Sequence, residues 1–281
     1  MQIQARIGYT TYNAVHWDGS SWELLRIPYH YNGDDFYHPI QAVFSFNESD
    51  IWFCGNGVIH WDGTNFRPIG ISSGVWGPYQ MNKMWGSSRS NLFIVGDNGN
   101  IARYNGTSWQ RIESGTDLDI YDIWGEYNEK TTEFEVFTVA SKLLVNQEKK
   151  IFRINKTNNV ISISTNGIPS NLTGIWFKNK VFYVVGNGMF RKTDIESTSE
   201  WTAFNYGLTS YYIGDIRGDD YNDIIATGSF GELVHFNGEN WKSFTEVTYM
   251  NGAWSGTIKG NIICCVGLVN NEAIITIGKR N

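Results

Sequence analysis

The sequence predicts an all-β fold, a β-propeller of four-stranded blades, and three observations carry that expectation. A short motif returns along the chain at a period near 44 residues. Each period holds four strand-like runs punctuated by Gly and Asn. The composition, 12 Trp, 15 Tyr, 16 Phe and 30 Gly against 5 Pro in 281 residues, favours short strands joined by tight turns.

The motif is first seen as His16-Trp17-Asp18-Gly19-Ser20-Ser21-Trp22. It returns as His60-Trp61-Asp62-Gly63-Thr64-Asn65-Phe66, as Arg103-Tyr104-Asn105-Gly106-Thr107-Ser108-Trp109 and as His235-Phe236-Asn237-Gly238-Glu239-Asn240-Trp241. Its Asp or Asn stands at 18, 62, 105 and 237, so the gaps are 44, 43 and 132 residues, the last being three periods. Two degenerate copies are expected near 149 and 193. Asp-Gly and Asn-Gly tolerate positive φ, so each copy predicts a hairpin with a type I′ turn. Upstream lies a strand ending in Gly, as in Asn91–Gly96, Val181–Gly186 and Asp223–Gly228. Before it comes a strand ending in Trp or Trp-Gly: Trp85-Gly86, Trp124-Gly125, Trp176. Four strands in about 44 residues match one propeller blade. No stretch keeps a 3.6-residue period, so no substantial helix is expected.

Innermost strands can be placed around Phe44, Trp85, Trp124, Trp176, Arg217 and Trp254, and the first 30 residues add an outer hairpin with no innermost strand before it. The expectation is a single domain of seven blades with an incomplete first blade. Blade boundaries fall at about 1–35, 36–74, 75–117, 118–170, 171–209, 210–250 and 251–281. The alternative is six blades with a shared closing blade. Closure is expected through pairing of strands near Ala5 to Arg26 with those near Ile262 to Ile277.

Composition bounds the partners. The net charge is −6 with histidine neutral. No basic run is present, which argues against nucleic acid or an anionic membrane as the main partner. The longest apolar run, near Ile262 to Val269, is far short of the ~20 residues of a transmembrane helix. The segment Met1-Gln2-Ile3-Gln4 does not begin a signal-peptide pattern.

Residues Trp85-Gly86-Ser87-Ser88 through Trp109 resemble the repeats of a family of bacterial extracytoplasmic propellers, which read Trp-Gly-Ser-Ser…Val-Gly…Tyr-Asn-Gly-x-x-Trp. The resemblance runs from about residue 14 onward. It implies a propeller of a secreted or surface protein, in a family sometimes labelled glucosyl hydrolase. The chain departs from the pattern in its long, irregular fourth unit, 122–170, and in Arg217, which replaces an innermost tryptophan.

Candidate sites follow from position in the blade. Trp85, Trp124, Trp176 and Trp254 recur once per blade, as a packing problem does, and are expected as wedges between blades; a sugar-stacking ring is the alternative. His16, His60 and His235 share one slot spread around the ring, so they do not converge on a metal ion. Residues 215–223 look like a calcium loop, but Arg217 and Asp220 stand where an oxygen ligand and a glycine belong. Cys54, Cys264 and Cys265 are expected as free thiols on second strands. No Ser-His-Asp or Cys-His grouping and no catalytic carboxylate pair is identified, and neither metal nor cofactor is expected.

The loops between blades carry the functional signal. They hold Tyr29, Tyr31, Asp34, Asp35, Phe36, Tyr37 and His38, with His30 beside them, then Trp76 and Tyr79, then Tyr211 and Tyr212. Turns need Gly, Asn or Pro, not this density of aromatics. With Arg217 reaching an acidic group from its innermost strand, these residues form the expected ligand site, for protein or carbohydrate. The alternative is that the loops plug the channel. The leading expectation is a non-enzymatic recognition or scaffold propeller. A carbohydrate-active enzyme with acids at the channel mouth and a purely structural module are the alternatives.

Overall fold

The structure, a computed structural model, describes residues 5–7, 10–31, 34–143, 148–204, 208–209, 211–247, 253–269 and 272–280. Three two-stranded hairpins come first: β1 (Ala5–Ile7) with β2 (Thr10–Tyr12), β3 (Ala14–Trp17) with β4 (Trp22–Leu25), and β5 (Tyr29–Tyr31) with β6 (Asp34–Phe36). Blade 1 is β7 (Ala42–Asn47), β8 (Asp50–Cys54), β9 (Val58–Trp61) and β10 (Phe66–Ile69). Blade 2 is β11 (Met81–Ser88), β12 (Asn91–Gly96), β13 (Asn100–Tyr104) and β14 (Trp109–Glu113). Blade 3 is β15 (Asp119–Asn128), β16 (Glu133–Ser141), β17 (Lys149–Ile154) and β18 (Val160–Ile163). Blade 4 is β19 (Leu172–Lys178), β20 (Val181–Gly186), β21 (Gly188–Lys192) and β22 (Thr202–Ala203). Blade 5 is β23 (Ile213–Asp220), β24 (Asp223–Gly228), β25 (Leu233–Phe236) and β26 (Trp241–Ser243). Blade 6 is β27 (Ala253–Lys259), β28 (Ile262–Val269) and β29 (Glu272–Lys279). Each sheet is an antiparallel meander. The one helical element among the described residues is a 3₁₀ turn, Thr245–Val247, and no described helix is long and apolar enough to cross a membrane.

The propeller therefore has six blades, as the alternative count has it, and not seven. The span predicted as a first blade, 1–35, forms separate two-stranded hairpins instead of one sheet, and its motif-bearing hairpin β3–β4 lies on blade 1 through Ala14, Leu25 and Ile27. Nor is the closing sheet shared: among the described residues β27, β28 and β29 pair only with one another, and β3 pairs with β4 alone.

The recurring turn also differs from expectation. It is a four-residue turn rather than a type I′ pair, and only its glycine takes positive φ: 99° at Gly19, 90° at Gly63, 95° at Gly106 and 96° at Gly238. The Asp or Asn stays at negative φ because its side chain caps the turn. Asp62 Oδ1 accepts the N–H groups of Thr64 at 3.0 Å and Asn65 at 2.8 Å, and Asp18, Asn105 and Asn237 do the same in their turns. This is the local satisfaction of backbone donors that Asx residues offer. The degenerate copies are Asn155, which caps Thr157 and Asn159, and Asp194, which caps Glu196. Asn155 falls late because blade 3 is extended. Its extra residues lengthen β15 and β16 into a regular hairpin of 10 and 9 residues, not an irregular insertion; residues 144–147 lie outside the described residues.

Successive blades bury their faces on each other. Trp85 and Trp176 are buried, and each covers a glycine of the next innermost strand. A Cβ on Gly125 would sit 2.5 Å from the Trp85 ring, and one on Gly218 2.5 Å from Trp176. The two adjacent slots thus serve two different contacts: Trp85 and Trp176 reach forward, while Gly125 and Gly218 receive the tryptophan behind and Gly86 receives Phe46. Trp124 departs from this, being half-buried on the channel wall. The side chain of Trp254 lies outside the described residues. Trp85→Ala or Trp176→Ala leaves a void that the facing glycine cannot fill. Each is expected to lower the unfolding free energy by roughly 3–5 kcal/mol in denaturant melts.

Candidate functional site

The loops between blades and the turns joining second to third strands lie together on one face. Backbone hydrogen bonds tie them: Met81 N–H to the Gly55 carbonyl, Asp97 N–H to that of Gln80 and Ser229 N–H to that of Tyr212. The innermost strands meet along a central channel of ≈ 860 Å³.

Across this channel runs an ion network. Arg217 on β23 forks onto Asp122 of β15, with Nη2 2.6 Å from Oδ1 and Nη1 2.9 Å from Oδ2. Its Nη1 lies 3.0 Å from Asp215 Oδ1. Asp215 Oδ2 accepts from Lys83 Nζ of β11 at 2.9 Å and from the Ser255 hydroxyl of β27 at 2.7 Å. Asp122 Oδ2 also accepts the Ile175 N–H of β19 at 2.8 Å. Blades 2 to 6 are thereby linked at the axis. Burial works against the Asp215 carboxylate, yet Arg217 and Lys83 hold its carboxyl below the usual carboxylate range. Burial likewise works against the Arg217 cation, and Asp122 and Asp215 outweigh it, raising its pKa. The guanidinium also lies 5.2 Å from the Trp124 ring centre, within cation–π range.

On the loop face a second polar group forms beside the channel. Asn82 Nδ2 donates to Asp97 Oδ1 at 2.8 Å and to the Ile120 carbonyl. Asp119 accepts the Asn98 N–H at 3.0 Å and the Tyr121 hydroxyl at 3.4 Å. Burial raises the Asp97 carboxyl, against the hydrogen bond from Asn82 and with help from the Asp119 charge. Burial, then Asp119 and Asp97, push the Tyr121 phenol up.

The structure divides the predicted ligand residues. Phe36 is exposed and stacks on His38 with centroids 5.8 Å apart and planes 5° apart. Tyr79 is exposed, and exposed Tyr211 pairs with exposed Phe230 at 4.9 Å. Asp34 and Asp35 lie exposed on β6. Other members are held by the protein itself. Trp76 is buried and donates its indole N–H to the Tyr79 carbonyl at 2.8 Å, so it anchors its loop. Tyr29 is half-buried over Gly57. Tyr37 lies 3.8 Å beneath the Arg26 guanidinium. Tyr212 is half-buried. Arg217 spends its fork on Asp122. Tyr31 and His30 lie in β5, their side chains outside the described residues.

Lys83 and Asp122 were not singled out by the sequence, and Asp215 only as the head of the calcium-like stretch; nor were Asp97, Asp119 and Tyr121. The register held a signal for the first three. Strand pairing puts Lys83, Asp122 and Asp215 in one slot, opposite Val95, Val139 and Thr227 of the second strands. A charged residue repeated on innermost strands converges on the axis.

The third-strand histidines do not converge. His60 Nε2 lies 2.7 Å from Asp50 and His235 Nε2 2.7 Å from Asp223, each within its own blade. The acids of the calcium-like stretch diverge: Asp215 to the axis, Asp219 to Gly260 and Lys259, Asp223 to His235 and Arg280. Cys54 and Cys265 are buried free thiols, pushed up to about 12 by burial, and Cys264 faces the other way, half-buried.

Against known structures the chain is similar to YCF48 bound to a D1 peptide, with a TM-score of 0.69 at 13% identity over 100% of this chain and 89% of that one. It is similar to YCF48 from Cyanidioschyzon merolae, with 0.66 at 13% over 92% and 85%. A computationally designed protein, Ika8, gives 0.61 at 10% over 88% and 73%. At these identities the likeness is one of fold. No protein-family model matches the sequence, and no curated protein matches it.

The axial network generates two expectations. Arg217→Met leaves the buried Asp122 carboxylate without its cation and Asp215 with Lys83 alone, and is expected to cost about 3–5 kcal/mol. Because the Asp215 carboxyl lies below its unfolded value of 3.8, its contribution is complete above about pH 4 and is lost as pH falls from there towards the lower folded value. Denaturant melts at stepped pH should show that acid-side loss in the wild type. Asp215→Asn should be less stable at neutral pH and lack this share of the loss.

Proposed function

We propose that the protein is a non-enzymatic recognition propeller that binds a segment of another protein on its loop face. The observation that carries this is the set of exposed aromatics there: the Phe36–His38 stack, Tyr79, and the Tyr211–Phe230 pair. Exposed rings held by buried anchors such as Trp76 offer contact area at low entropic cost, as protein-binding surfaces do. Two further points support it. The axial carboxylates Asp122 and Asp215 are neutralised by Arg217 and Lys83, an arrangement for cross-linking rather than for proton transfer. One structure of similar fold holds a peptide, YCF48 with a D1 peptide. The extracytoplasmic setting and the kinship implied by the repeats belong to the same proposal.

Contact through π-faces is only weakly screened by salt, unlike one built on exposed charge pairs. A peptide array and a glycan array, each probed at low and high salt, test the proposal. Peptide binding is expected to persist at high salt. Tyr79→Ala and Tyr211→Ala should each weaken the best peptide about tenfold, near 1.4 kcal/mol, with the fold intact. Binding to glycans alone, or cleavage of a glycan lost in Asp97→Asn, would replace this reading with the carbohydrate one.

A further inference from the structure

Among the described residues no strand pairing joins blade 6 to the hairpin β3–β4 or to blade 1, and apolar residues of all three are exposed there. Strand β3, Ala14-Val15-His16-Trp17, repeats the third strands β9 (Val58-Ile59-His60-Trp61) and β25 (Leu233-Val234-His235-Phe236). Those strands pair on one side with a fourth strand and on the other with a second strand, β8 or β24. Among the described residues β3 has only its fourth strand, β4, and its other edge is bare.

The histidine slot says what the bare edge lacks. In blades 1 and 5 the third-strand histidine is bound by the aspartate that heads the second strand, Asp50 or Asp223, at 2.7 Å. In blade 2, Arg103 at that slot donates to Asn91 in the same way, at 2.8 Å. His16 occupies the slot, is exposed, and has no such partner among the described residues.

The walls of the opening are apolar where a blade would pack. Val43 on β7 is 58% exposed, whereas Met84, the same slot one blade on, is 4% exposed because blade 1 covers it. Val15 and Val43 line the channel cavity together with Cys264 and Val266 of β28. Beyond them Trp17, Trp22 and Leu24 on the hairpin and Ile262 and Ile277 on blade 6 are all exposed. On blade 6 these residues belong to the face turned away from blade 5, since Cys265 and Ile258 take the buried face. A bare strand edge between two apolar walls is a template for strand addition.

We propose that this opening binds a β-hairpin of another polypeptide, which supplies the inner two strands of a seventh blade. The strand beside β3 runs antiparallel to it. It begins with Asp or Asn two residues before the position opposite His16, as Asp50 stands to His60 and Asp223 to His235, and continues with alternating apolar residues, one set against Val43 and the blade 1 side, the other against Cys264 and Val266. That is the pattern of this chain's own second strands, Asp50-Ile51-Trp52-Phe53 and Asp223-Ile224-Ile225-Ala226. The site is separate from the aromatic loops and does not rest on their role.

The test uses the full chain and a synthetic peptide of residues 213–228, a first-and-second-strand hairpin whose second strand is headed by Asp223, followed by hydrogen exchange at the Val15 and Trp17 amides, which alternate with those turned to β4. Slowing of those amides by about tenfold or more at saturating peptide is expected. The peptide carrying Asp223→Ala, or the protein carrying His16→Ala, should bind about tenfold more weakly, with no further loss when both are changed. His16 is exposed, so its variant should keep the wild-type melt; Val43→Lys, also at an exposed site, should abolish peptide binding. Val15 and Trp17 amides already protected without peptide, exchange there unmoved by peptide, or binding indifferent to His16 would overturn the proposal. So would a dimer in sedimentation that Trp17→Ser and Ile277→Ser dissolve, since a second copy would then cover both walls.

Discussion

A propeller blade is a sheet with two apolar faces, and the only thing available to cover them is the next blade. The rest of this structure depends on that constraint. It sets the pairing of Trp85 with Gly125 and of Trp176 with Gly218. It also explains why the strands read as nearly unbroken apolar runs: β12 and β24 are buried along almost their whole length, since neither face meets water. Where the constraint is met the inner-strand positions Met84, Ile123, Ile175 and Ile216 are buried; where it is not, Val43 is exposed.

The axis obeys a different rule. Innermost strands converge there, so side chains from equivalent slots meet across the channel instead of being spread around the ring. Blades 2, 3 and 5 place Lys83, Asp122 and Asp215 in one such slot, and blade 5 adds Arg217 in the slot that is tryptophan in blades 2 to 4. Arginine suits this position because its planar fork matches a carboxylate in two bonds and still stacks on an aromatic ring, here Asp122 and Trp124. Buried charges of this kind add little net stability over apolar packing, but removing one partner is costly. They act as registration pins that fix how the blades meet.

The loop face and the lateral opening are consequences of the same geometry. Loops between blades need not pack in a repeated way, so they are free to vary; here they divide into anchors, such as Trp76 and Tyr29, and exposed rings, such as Tyr79 and Tyr211. The opening arises because the hairpin β3–β4 carries outer-strand residues and rests on blade 1 without inner strands of its own. The sequence count of seven and the structural count of six describe the same hairpin from two sides. Its motif belongs to a blade, but its pairing stops at two strands.

The sequence by itself determined the class and the period. Asp18, Asp62, Asn105 and Asn237 each cap a local turn, and Trp-Gly pairs mark innermost strands, so short-range chemistry wrote the blade into the residues. It also placed the aromatic loops on one face, since strand order dictates which connections share a side. Only the tertiary structure decided which of those aromatics face solvent, because an indole such as Trp76 reads the same in a sequence whether its N–H meets a ligand or the Tyr79 carbonyl. Nor could spacing alone show that Arg217 is spent on Asp122, 95 residues away in sequence, or that the hairpin β3–β4 stands without inner strands. Both depend on how far around a ring the chain has travelled when its faces meet, and that is a sum over every interblade contact rather than a property of any one motif.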